Sequence, residues 1–141
     1  MTLRAIAWWR ARTVATVLLI PPLLHFAPLQ RLAPRLGGRP SSPPPPLPTE
    51  RVVDWVDMLL HRLPWPWRFT CLKRAAVLYA LFRRSGMPVE LWIGVRRDPD
   101  GHLAAHAWLV RDGAPYLEAL SDPLGTFQVI ARFPQAAPVA P

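Results

Sequence analysis

Six of the nine residues from Pro40 to Pro48 are proline. Proline fixes φ and removes an amide donor, so this stretch can enter neither a helix interior nor a central strand. Any packed core must come from the segments on either side. We read residues 37–48, GGRPSSPPPPLP, as an extended polyproline II spacer. It divides a basic, apolar, helical N-terminal segment at 1–36 from a folded unit at 49–134, with a flexible tail at 135–141.

A chain of 141 residues is long enough for one ordinary domain. Its 51% apolar and 18% charged residues suit a buried core rather than disorder throughout. The single cysteine excludes an internal disulfide framework and multi-cysteine metal clusters. It also fits a reducing cytoplasm, which is the expected location. The formal charge of +8 is concentrated in the first 48 residues, where Arg4, Arg10, Arg12, Arg31, Arg35 and Arg39 face no acid at all. Such a bias suits an anionic lipid surface, an acidic partner or nucleic acid. Nucleic-acid binding has no further support, because no helix-turn-helix, zinc-finger or aromatic RNA-binding pattern accompanies the charge. The charge-free run from Thr13 to Gln30 is broken by Pro21-Pro22 and His25, and a membrane span wants roughly 20 apolar residues. The segment is therefore expected to dock on the fold or lie at an interface.

Beyond the spacer, Val52, Val53, Val56, Leu59, Leu60 and Leu63 recur at helical spacing, with Thr49 as the expected N-cap. Pro64 and Pro66 end that helix and leave Trp65 and Trp67 in a tight connection. A second helix is predicted from Cys71 to about Ser85, capped by Thr70 and closed by Gly86. After Gly86 the period changes from 3.6 to 2. Strands are predicted over Val89–Arg96, His102–Val110 and Tyr116–Leu120, joined by Asp98-Pro99-Asp100-Gly101 and Asp112-Gly113 turns. Helices followed by an antiparallel meander make an α+β fold.

Three residues suggest nucleophilic catalysis. Cys71 falls at the start of a helix, where unbonded amides and the dipole favour a thiolate. His106 lies on a strand that can return across that helix start and act as general base. Glu118 follows across the Asp112-Gly113 hairpin, where it could orient the imidazole. Each has a plainer reading, as a small buried hydrophobe, a core histidine and a solvent-facing strand residue. His102 and His106 do not make a metal pair, because on a strand they stand about 13 Å apart. Trp65 and Trp67 cap the core or line a groove.

The run Cys71-Leu72-Lys73-Arg74-Ala75, then Arg83-Arg84-Ser85-Gly86-Met87-Pro88-Val89, Ile93-Gly94-Val95-Arg96, Ala105-His106-Ala107-Trp108 and Asp112-Gly113 resembles the lasso peptide leader peptidase (B-protein) family. That family is a branch of the transglutaminase-like cysteine proteases. The resemblance implies a papain-like core with the Cys-bearing helix on an antiparallel sheet. It implies Cys71 as nucleophile, His106 as base and an acid after the hairpin, where Glu118 stands in place of the usual aspartate and Asp122 competes for the role. No cofactor and no metal are expected.

The reaction implied is hydrolysis of a ribosomally made precursor peptide between leader and core. A separate asparagine-synthetase-like lasso cyclase would then use the freed α-amine. The 48 residues before the protease unit are too few for a fused winged-helix leader-recognition domain. The resemblance therefore points to the split form, with a separate leader-binding recognition protein as partner. The same thiol could serve a transglutaminase-like acyltransferase, or the core could be a non-catalytic scaffold of a maturation complex.

Overall fold

The computed structural model describes residues 2–36, 44–117 and 126–134. The predicted tail at 135–141, most of the spacer, and both candidate acids, Glu118 and Asp122, lie outside the described residues. The elements run α1 (Leu3–Phe26), α2 (Leu29–Leu36), α3 (Thr49–Arg62), α4 (Cys71–Arg84), β1 (Glu90–Arg97), β2 (Leu103–Arg111), β3 (Ala114–Tyr116) and β4 (Gln128–Phe133). The order helices-then-sheet makes the fold α+β, as the change of period at Gly86 requires.

Helix α4 is the centre of the molecule. Helices α1, α2 and α3 and strands β1 and β2 all pack against it. Every residue from Ala75 to Phe82 is consequently buried, where the sequence pattern marks only one apolar face. Helix α3 offers Val52, Val56 and Leu60 to this core at a strict four-residue repeat, all fully buried. The N-terminal helices join the same core through Trp9, Val17 and Ile20 of α1 and Leu32, Ala33 and Leu36 of α2.

The four-stranded sheet is antiparallel, in the order β3-β2-β1-β4. Strand β4 was not among the predicted strands. It pairs on the free edge of β1, with the register slipping between Ile93 and Gly94. That slip is a β-bulge, which a period-2 reading does not reveal.

Two further expectations are corrected. Thr49 is the first helical residue of α3 and not its cap; Pro48 holds the cap position without a side-chain hydrogen bond. The Pro21-Pro22 pair does not break α1, which continues through both to Phe26. Proline at these positions leaves the carbonyls of Val17 and Leu18 without their helical donors. The indole Nε1 of Trp67 donates to the Leu18 carbonyl at 2.9 Å, so one of the two vacated acceptors is satisfied from outside the helix. The indole of Trp9 likewise donates to the Pro45 carbonyl at 3.1 Å and ties the described end of the spacer to α1.

Candidate active site

Cys71 opens α4 as predicted. Thr70 is the N-cap, with extended φ and ψ of −140° and 156°, and its hydroxyl accepts from the Lys73 amide at 3.1 Å. The Thr70 carbonyl accepts from the Arg74 amide, also at 3.1 Å. The amides of Cys71 and Leu72 have no carbonyl one turn earlier within the helix. Two donors and the positive end of the dipole therefore gather beside a half-buried thiol.

The connection ahead of Cys71 is fastened along its length. Trp67 is held by Leu18, and Phe69 stacks on His61 of α3 at 4.4 Å between ring centres. The Lys73 ammonium donates back to the Arg68 carbonyl at 3.1 Å, and burial lowers its pKa. Arg74 binds Asp57 of α3 at 2.7 Å and the Leu117 carbonyl at 3.3 Å. The first turn of α4 is thereby tied both to the helical layer and to the chain leaving β3. This fixing of the thiol by Trp67 and Arg74 was not anticipated from the sequence, because the partners lie 49 and 17 residues away.

His106 lies at the middle of β2, opposite Gly94 of β1. Its ring stacks on Trp108 at 5.8 Å and 15°, and meets Phe127 at 5.6 Å. Trp108 runs over Gly94, where an added Cβ would stand 2.8 Å from the indole and 2.9 Å from the Phe127 Cβ. Arg96 lies over Phe127 and Arg132 over Trp92, at 4.7 and 4.3 Å. An imidazole thus sits within an aromatic, cationic sheet face.

Strand alternation divides these groups. Leu91, Ala107, Leu109 and Phe133 belong to the core beneath α4, so His106 and Trp108 occupy the other face. Phe82 of α4 contacts Tyr116, which pairs with Leu109 on β2, and among the described residues no hydrogen bond joins the thiol to the imidazole. The predicted third strand begins earlier, at Ala114, and β3 ends at Tyr116; Leu117 then turns the chain with φ of 60°. Among the described residues no group of three potential metal ligands is found.

Comparison with known proteins agrees with this architecture. Residues 6–132 match the family model of the transglutaminase-like superfamily. No curated protein and no solved structure matches the chain. The matched span takes in α1 and α2 as well as the Cys-bearing helix and the sheet, so the N-terminal helices fall within the family's domain. With nearly the whole chain covered, this protein belongs to the transglutaminase-like superfamily.

Proposed function

We propose that this protein is a cysteine peptidase that removes the leader from a ribosomally made lasso precursor peptide. The observation that carries the reading is Cys71 itself: the chain's only thiol opens the central helix of a transglutaminase-like domain. The superfamily's chemistry, peptidase or acyltransferase, starts from a thiol in such a position. The finer assignment rests on the likeness of the Cys71, Ile93-Gly94-Val95-Arg96 and Ala105-His106-Ala107-Trp108 segments to leader peptidases.

In this mechanism the Cys71 Sγ attacks the carbonyl carbon of the last leader residue. His106, which no hydrogen bond joins to Cys71 in the free protein, takes the thiol proton once the bound peptide brings the two side chains together. The Cys71 amide donates to the developing oxyanion. Collapse of the tetrahedral adduct breaks the C–N bond, and His106 returns its proton to the core's α-amine as it leaves. Water then hydrolyses the leader thioester and restores the thiol. Glu118 or Asp122 orients the imidazole. The reading calls for a separate leader-binding protein, passes the free amine to an asparagine-synthetase-like cyclase, and places the enzyme in the reducing cytoplasm.

The test is mass spectrometry of precursor peptide incubated with the protein and its leader-binding partner. One cut at the leader–core junction, lost in Cys71→Ala, is the expected result. A mass gain on an added amine would make the protein an acyltransferase, and an intact precursor that still binds would make it a scaffold.

A further inference from the structure

Helix α1 is apolar on both sides. Its inner side fills the core with Trp9, Val17 and Ile20. Its outer side leaves Leu3 and Phe26 85% and 88% exposed at the two ends, with Leu19 at 61% and Val14 and Leu18 also exposed between them. At 100° per residue, Ala7, Ala11, Val14, Ala15 and Leu18 lie along the outward centre line. Arg10 and Arg12 flank this line on opposite sides and Arg4 stands at its N-terminal end. From Leu3 to Phe26 the strip is about 34 Å long. Monomeric proteins rarely leave so continuous an apolar strip to water.

We infer that this face lies on an anionic lipid surface, with α1 in the membrane plane. Charge selects the occupant: residues 1–48 carry six arginines and no acid, and long arginine side chains can lie along the apolar strip with their guanidinium groups at the headgroups. Shape agrees, because a straight row with small residues at its centre offers area rather than a pocket. Trp65, 71% exposed, stands against His25 at 5.1 Å. It extends the apolar edge past the helix end with a residue type suited to the membrane–water boundary. No helix among the described residues is long and apolar enough to cross a membrane, and contact in the plane requires no crossing. This inference does not depend on the thiol chemistry.

Co-sedimentation of the full chain with vesicles tests it. Binding is expected to vesicles containing phosphatidylglycerol, to weaken with salt, and to be slight on pure phosphatidylcholine. Leu18→Glu should reduce anionic-vesicle binding at least tenfold. Arg10→Gln and Arg12→Gln, which leave the core untouched, should each reduce it about fivefold. Circular dichroism of the unbound variants checks that the helices remain. No binding to anionic vesicles at low salt would overturn the inference. So would binding indifferent to all three substitutions, or a dimer in light scattering that Leu18→Glu dissolves while vesicles are ignored.

Discussion

The indole of Trp67 donates a 2.9 Å hydrogen bond to the carbonyl of Leu18, the acceptor that Pro22 has no N–H to reach. One tryptophan in the connection before Cys71 thus completes a helix that begins 64 residues earlier than Trp67 in the chain, at Leu3. The two elements that frame the thiol's approach are joined by the defect that proline introduces.

Trp67→Phe keeps much of the ring's apolar contact and removes the donor. It should cost about 1 kcal/mol in denaturant unfolding. In a Pro22→Ala background the helix supplies its own N–H to Leu18, so the same substitution should cost less. Equal costs in the two backgrounds would show that the bond contributes nothing specific.

Thr13 is fully buried on the inner side of α1, and its hydroxyl finds no hydrogen-bond partner among the described residues. Thr13→Val exchanges that hydroxyl for a methyl of similar shape, relieving a desolvated polar group at small steric cost. Thermal unfolding should show a gain of about 1 kcal/mol. A loss of similar size would mean that the hydroxyl is bonded in solution.

Gly94 is required by close approach, not by its backbone angles. An added methyl would meet both the Trp108 indole and the Phe127 Cβ inside 3.0 Å. Gly94→Ala should therefore destabilise by roughly 1–3 kcal/mol. It should also change the near-ultraviolet circular dichroism, since Trp108 meets Trp92 edge to face and stacks on His106. In the enzyme proposed here it would slow turnover through His106. Unchanged spectra and unchanged stability together would contradict the packing.

Burial raises the Tyr79 phenol above its ordinary 10.0; Arg83 pulls it down and Glu90 pushes it up. The folded state therefore favours the protonated phenol. That contribution to stability is fully present below about pH 10 and is lost as pH rises through the folded value. Tyr79→Phe should flatten the alkaline limb of the stability curve above pH 10 while leaving its shape near neutrality. An alkaline limb that persists unaltered would assign the loss to other groups.

The elements nearest the thiol were the most legible in the sequence. Thr70, the apolar repeat after Cys71 and the stop at Gly86 each act within a few residues, and α4 follows them closely. Local signals also separate the helical half from the sheet. What stayed hidden depends on distant partners. Pro21 and Pro22 read as a break because the indole that answers Leu18 lies 49 residues on. Strand β4 escaped because its hydrophobic alternation is short and its pairing with β1 contains a bulge. Spacing could pair Cys71 with His106, yet it could not say which sheet face the imidazole occupies. That depends on which residues of β2 the core takes, and the core takes Ala107 and Leu109.

The central claim is that Cys71 carries the leader as a thioester. Acid quenching within the first turnover, followed by intact-protein mass spectrometry, measures it directly. The expected result is a fraction of protein heavier by one leader acyl group, mapped to Cys71 and accumulating before free leader appears; Cys71→Ala should show neither adduct nor cleavage. Cleavage of the precursor by Cys71→Ala at the wild-type rate would contradict the account.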